Sequence, residues 1–263
     1  MGIYHDLAPF YDAMNAEIDY DDWAEAADRV IRRFVKSAVP CVLVLGCGTG
    51  SMTIALSKRG YDMVGLDLSP EMLSIAYDRA DAAGVGDRIQ WTQQDMCDFS
   101  LCGQVDAVIS TLDCLNHLPT PKQLTDCFHR VSEVLSPGGV FLFDLNAKRQ
   151  FEEVYADEVY TMETNEAFCV WQNDYHPSTK RCDFWITLFR RTADGRYIRS
   201  DSRETERYYP LNTVKKALEA TGMTMTGVAG HYDGRPVCEE DTRWYCLATG
   251  KEKAWDREKF CEQ

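Results

Sequence analysis

The 263-residue chain lacks the features that would assign it to several classes at once. No apolar run approaches the ~18 residues of a membrane span. No Cys-x-x-Cys pair and no zinc-ligand spacing is present, so no metal is expected. The 11 cysteines are an odd number, which argues against a disulfide framework. Cys41, Cys47, Cys169 and Cys246 sit inside apolar runs, where free thiols behave as small buried hydrophobes in a reducing compartment. Internal repeats and low-complexity tracts are absent. Positive charge is in deficit: 28 Lys+Arg stand against 42 Asp+Glu, a formal charge of −14. A field of that sign repels a phosphate backbone or an anionic membrane surface, which disfavours nucleic-acid and membrane partners. Arg29, Arg32, Arg33 and Lys36 form a short basic cluster at helical spacing, the solvated face of a helix. The opening MGIYHDLAPFYDAM has no basic region followed by an apolar stretch, and Asp6 stands where a myristoylation signal needs Ser or Thr. A cytoplasmic location is expected.

What is present is a globular composition. Hydrophobic residues make up 45%, charged residues 27% and aromatics 11%, enough to build a core and exclude wholesale disorder. The length suits one core domain with an appendage.

The hydrophobic period organises the chain. Residues 7–14 and 21–36 read as helices, the second capped by Asp21 or Asp22 and carrying an apolar face of Trp23, Ala26, Ala27, Val30, Ile31 and Phe34. After Pro40 the run CVLVLG reads as a strand buried on both faces. A helix over about 51–58 and the strand DMVGLDL follow. Ser69-Pro70 opens the next helix, Ser as N-cap and Pro in the first turn. The strands IQWTQQD and VDAVIST, a helix over 121–135, a Ser136-Pro137-Gly138-Gly139 turn and the strand VFLFDLN complete the rhythm. Such alternation predicts a right-handed parallel α/β sheet. Three long, partly alternating runs between residues 166 and 209 predict an antiparallel meander of about three strands. A helix near 213–220 and two strands return to the core. The predicted units are 1–150, N-terminal helices and cofactor-binding core; 151–210, the β insertion; 211–251, the rest of the core; and 252–263, a polar tail.

Chemistry concentrates where the first strand turns into the first helix. Gly46, Gly48 and Gly50 allow a ligand to approach the backbone closely. The spacing is G-x-G-x-G, and the sixth position of a dinucleotide fingerprint is Ser51. Asp67 ends the second strand, where a carboxylate can accept from two ribose hydroxyls. Nicotinamide cofactors and S-adenosylmethionine both carry such a ribose, so Asp67 alone does not choose between them.

Four elements in register resemble a class I S-adenosylmethionine-dependent methyltransferase over about residues 40–146. They are Leu45–Gly50, Gly65–Leu73, Gln94-Asp95-Met96 and Leu135–Gly139. Tyr4–Trp23 and the insertion resemble, more loosely, the glycine and amino-sugar N-methyltransferase group. The resemblance implies a Rossmann-like, mostly parallel seven-stranded sheet, with the N-terminal helices and an inserted antiparallel β-sheet lid covering the active site. It implies that Gly46, Gly48 and Gly50 cradle methionine and ribose, with Cys47 a small residue among them. Asp67 would bind the ribose hydroxyls, Leu68 would pack on adenine, and Met72 would belong to the same cofactor site. Asp95 and the Met96 N–H would read the adenine edge. Thr111 and Leu112 would flank the sulfonium, and Tyr11 and Tyr20 would reach the methionine end. His117 follows the fourth strand at the ligand-binding edge, and its ordinary pKa near 6.5 suits a general base, the other reading being a helix-capping or packing histidine.

The expected reaction is methyl transfer to nitrogen or oxygen of a small molecule, leaving S-adenosylhomocysteine. The alternatives are a nucleotide-dependent oxidoreductase and a non-catalytic S-adenosylmethionine-binding protein. Asp144 and Asn146 end the fifth strand as substrate contacts or strand caps, and His231 ends the sixth. Trp171, Phe184, Trp185 and Phe189 read as packing rather than a substrate box. Glu152, Glu153, Asp157, Glu158, Glu163 and Glu166 form an acidic rim that tilts the acceptor toward an amine. The chain is expected as a monomer or as a homodimer through the insertion.

Overall fold

The computed structural model describes residues 4–250, so the expected polar tail at 252–263 lies outside the described residues. Two helices, α1 (Tyr4–Met14) and α2 (Tyr20–Phe34), precede the sheet. Asp19, not Asp21 or Asp22, caps α2: its carboxylate accepts from both of their backbone N–H groups at 3.0 and 3.1 Å. The two later aspartates occupy the first turn instead, where the helix dipole favours negative charge.

The core then alternates as the period predicts. Its elements are β1 (Cys41–Leu45), α3 (Ser51–Ser57), β2 (Asp62–Asp67), α4 (Pro70–Ala82), β3 (Ile89–Gln93), β4 (Val105–Ser110), α5 (Pro121–Val134) and β5 (Leu135–Asn146). Ser69 caps α4 by accepting from the Met72 N–H. The expected turn at Ser136–Gly139 is taken into β5 instead. Leu135 still pairs with Val105, the register shifts, and pairing resumes at Val140 opposite Ala107. The four residues therefore act as a bulge inside a longer strand.

After the core come β6 (Val159–Glu163), β7 (Ala167–His176), β8 (Arg181–Arg191), β9 (Tyr197–Arg207), α6 (Leu211–Ala220), β10 (Met223–Ala229) and β11 (Arg243–Gly250). The seven-stranded sheet has the order β10-β11-β5-β4-β1-β2-β3. Its strands run parallel except β11, which is antiparallel to both neighbours. The insertion is an antiparallel sheet of four strands, β6-β7-β8-β9, one more than the sequence predicts. The extra strand, VYTME, is largely exposed and carries no clear alternation.

Helices cover both faces of the large sheet. Phe128 and Val131 of α5 and Leu218 of α6 bury against Phe141 and Phe143 on one face. Ile31 of α2 and Leu56 of α3 bury against Val42 and Val44 on the other. Each fully buried side chain of this size contributes about 1.5–3 kcal/mol. A third cluster joins Leu7 and Phe10 of α1 to Phe151, Phe184, Ile186 and Leu188. The first helix is thus packed on the inserted sheet, and both stand over the carboxyl ends of β1, β2 and β4. No helix among the described residues is long and apolar enough to cross a membrane.

Candidate functional site

A cavity of about 930 Å³ lies between the strand ends and the insertion. Gly46 and Gly48 of the first turn line it. Gly48 has φ +53, and a Cβ there would meet no protein atom, so its bare backbone faces the cavity. Gly50 has a different role. It sits at φ +83 at the start of α3, and a Cβ would come within 2.8 Å of the Trp91 ring and 3.0 Å of Ala76. It is a packing glycine and does not line the cavity.

Asp67 stands at the end of β2 and lines the cavity, its two oxygens accepting from the Gly48 N–H at 2.8 Å and the Ser69 N–H at 2.9 Å. Burial raises its pKa, while the backbone donors, Ser69 and then Gly48, oppose the rise. One carboxylate thereby fixes the glycine turn against the start of α4. Leu68 projects beside it, 66% exposed, an apolar surface left open at the cavity. Met72, Asp95, Met96 and Leu112 also line it. Asp95 Oδ1 accepts from the Cys97 N–H at 2.8 Å, which orders that loop.

Tyr11 reaches the cavity from α1, and burial, then Tyr20, raises its pKa well above the ordinary phenol value. His117 ends a 3₁₀ turn, Cys114–His117, and faces the same cavity, with Nδ1 4.0 Å from Glu204 of β9. Four expected residues stand outside the lining. Tyr20 packs edge-on against Trp23, Cys47 is buried, its thiol pushed up by burial, Thr111 lies beyond the wall, and Gly50 packs as above.

Three features escaped sequence reasoning. Asp12 of α1 accepts from Thr49 Oγ1 at 2.6 Å and pairs with Arg79 at 2.9 Å, tying α1 to the glycine turn. Next, Leu112 and Asp113 both hold left-handed backbone, φ +57 and +53. Such conformations cost about 1–3 kcal/mol each in non-glycine residues. Asp144, fully buried on β5, holds them there by accepting both N–H groups, at 2.8 and 2.7 Å. Its place is structural, not substrate-facing. Arg243 of β11 bridges it to Asp113, with bonds of 2.8 and 2.7 Å.

The third is the far end of the cavity. Glu206 of β9 is 3% exposed and hydrogen-bonds Asp113. Burial, then the Asp113 charge, drives its pKa well above the carboxylate range. Burial also pushes Asp113 up, but Arg243 and then His117 outweigh it and hold that carboxyl below the usual range. Asn146 donates to Glu206 at 2.9 Å and to the Tyr155 hydroxyl at 3.0 Å. Asp113, His117 and Glu206 each bring an oxygen or nitrogen within 4.8 Å of the others. The alternation in SDSRETER, which puts Glu204 and Glu206 on one strand face, was the available signal.

The acidic rim is corrected by the structure. None of its six carboxylates lines the cavity, and Glu152 and Glu153 are paired with Lys148 and Arg149. The carboxyl groups that line the cavity are instead Asp67, Glu71, Asp95, Asp113, Glu204 and Glu206. The packing expectation is also revised: Trp171 does line the cavity, whereas Phe184 is core and Trp185 is exposed under the Arg203 guanidinium. His231 pairs with Asp233 at an exposed turn.

Comparisons with known proteins bear on the class. Residues 42–139 match the family model described as a methyltransferase domain. This stretch is a methyltransferase domain. A protein of Geobacillus sp. (strain WCH70), named as a methyltransferase with no acceptor, is 27% identical over 245 residues, 93% of this chain and 98% of that one. The dTDP-3-amino-3,4,6-trideoxy-α-D-glucopyranose N,N-dimethyltransferase of Streptomyces venezuelae is 33% identical over 155 residues, 58% of this chain and 61% of that one. The crystal structure of an S-adenosylmethionine-dependent methyltransferase from Clostridium acetobutylicum ATCC 824 aligns with a TM-score of 0.83 at 25% identity, covering 94% of this chain and 98% of that one. The two sheets are the class I methyltransferase fold with an inserted antiparallel β-sheet, and the amino-sugar enzyme is among the methyltransferase domain's relatives.

Proposed function

We propose that the chain binds S-adenosylmethionine and transfers its methyl group to a nitrogen or oxygen of a small-molecule acceptor. The observation that carries this reading is one cavity with two differently built ends. At one end Gly48, Asp67, Leu68, Asp95 and Met96 fit an adenosine: open backbone, a carboxylate at a strand end, and apolar surface beside a polar edge. At the other end are His117 and the acidic pair under the inserted sheet.

Bound cofactor supplies an electrophilic methyl group on a sulfonium, and the protein must then align a lone pair with it and exclude water. Asp67 is positioned to accept from ribose hydroxyls, and Leu112 to border the methyl group. His117 is the candidate base for an acceptor that must lose a proton. Residues 151–210 form the lid in this reading, over a core of residues 1–150 and 211–251. Every described cysteine is free, which suits a reducing compartment such as the cytoplasm.

An oxidoreductase is disfavoured by Ser51 and by the methyltransferase match, and a pure binding protein by His117 facing the cavity. Incubation with methyl-labelled S-adenosylmethionine and a panel of small amines and alcohols tests the proposal. Label should appear in at least one acceptor class; cofactor binding without transfer to any member would favour the binding protein.

A further inference from the structure

The deep end of the cavity has more acceptors than donors. Asn173 of β7 lines it, is 7% exposed, and its Oδ1 meets no donor among the described residues. Its amide nitrogen is committed to the Tyr155 carbonyl at 3.0 Å. Asn146, buried behind the lining, donates its Nδ2 to Glu206 and Tyr155, while its Oδ1 meets no donor among the described residues. Asp113 and Glu206 line the same cavity as Asn173, as do the rings of Tyr155, Tyr160 and Trp171. A buried oxygen without a donor is costly, and a ligand in the cavity that brings an N–H group to Asn173 would remove that cost. Aromatic faces favour the same ligand when it is a cation.

We propose that Glu206 and Asp113 form a subsite for a single ammonium group, so that the acceptor is an alkyl amine bound in its cationic form. This rests on the methyl-transfer reading above and names its acceptor class. A divalent ion fits less well, because the Arg243 guanidinium already sits 2.7 Å from Asp113. The groups that set the charge around Glu206 are Asp113 and His117 after β4, Asp144 on β5, Arg243 on β11, Tyr155 before β6, and Glu204 on its own strand.

The proton balance follows. The pair holds one shared proton, on Glu206. An arriving ammonium takes its place, and that proton leaves to solvent. One ammonium N–H bond then breaks and its proton forms an N–H bond on the His117 imidazole, which becomes an imidazolium next to Glu204. The freed nitrogen lone pair bonds to the methyl carbon as the carbon–sulfur bond breaks, and sulfur keeps that electron pair. The product nitrogen is again cationic.

The test compares cyclohexylammonium chloride with cyclohexanol, probes of similar size that differ in charge. Each is titrated calorimetrically into the full chain, free and loaded with S-adenosylhomocysteine, in two buffers of different ionisation enthalpy. The ammonium should bind at least about tenfold more tightly than the alcohol and release a proton, and Glu206→Gln should erase most of that preference while leaving alcohol affinity unchanged. Equal affinities, no ammonium binding, or a preference that survives Glu206→Gln would overturn the subsite. So would Glu206-dependent binding of magnesium or manganese ions in place of the ammonium. If the variant fails to fold, the wild-type preference and proton release decide alone. Failure to bind S-adenosylhomocysteine would sink the methyl-transfer reading, while the titration of the free chain would still judge the subsite.

Discussion

Replacing Asp67 by alanine removes two things at once. In the free protein the carboxylate accepts from the Gly48 and Ser69 N–H groups at 2.8 and 2.9 Å. In the complex it would also accept from ribose. Both amides border the cavity, so water can reach them in the variant and the cost to folding stays near or below about 1 kcal/mol. The loss on binding is larger, because hydrogen bonds to a charged acceptor contribute about 1.5–3 kcal/mol. That corresponds to a dissociation constant raised about 12- to 150-fold. Asp67→Asn, which keeps the size and one acceptor, should fall between wild type and alanine. Isothermal titration with S-adenosylmethionine measures the effect, and urea melts of the same samples check that the fold survives. An unchanged affinity in a folded Asp67→Ala protein would remove Asp67 from the site and with it the orientation of the cofactor.

Further expectations can be checked separately. His117→Ala should lower turnover far more than cofactor affinity, and equal losses in both would argue against a base. Gly50→Ala adds a Cβ at φ +83 against Trp91 and should cost about 2–4 kcal/mol in urea unfolding, with cofactor affinity per folded molecule nearly unchanged. Asp144→Ala removes one of the two carboxylates that hold Arg243 and leaves two backbone N–H groups without their acceptor, so a loss of about 2–5 kcal/mol is expected. Glu206 carries a pH signature. Its folded pKa is raised, so the stability it allows is complete below the ordinary glutamate value and declines as pH rises toward the folded one. Unfolding free energy should therefore slope downward over that window in wild type, and Glu206→Gln should flatten the slope.

The lining of the end proposed for the cofactor was legible in the sequence because the residues that form it are local. Gly46, Gly48, Asp67, Asp95 and Met96 each sit within three residues of a strand end, and a parallel sheet brings successive strand ends to one edge. Gly50 and Cys47 sit in the same motif but are packed away from the cavity, a distinction that for Gly50 depends on Trp91 of β3 and Ala76 of α4. The acceptor end was not legible. Asp113, Glu206 and Arg243 are separated by 92 and then 36 residues of chain and meet because the end of β9 packs on the Cys114–His117 turn and on Asn146 of β5. Asn116 secures that meeting by donating to the Arg207 carbonyl at 2.8 Å and accepting from the Asn146 N–H at 3.0 Å. Nothing in the period of either strand announces such a contact. The fourth inserted strand was missed for a simpler reason: an exposed edge strand needs no apolar alternation.

The most direct test of the central claim is a pair of calorimetric titrations of the full chain, one with S-adenosylmethionine and one with NAD. The account predicts saturable binding of S-adenosylmethionine, weakened in Asp67→Ala, and no binding of NAD. Binding of NAD with no response to S-adenosylmethionine would contradict it.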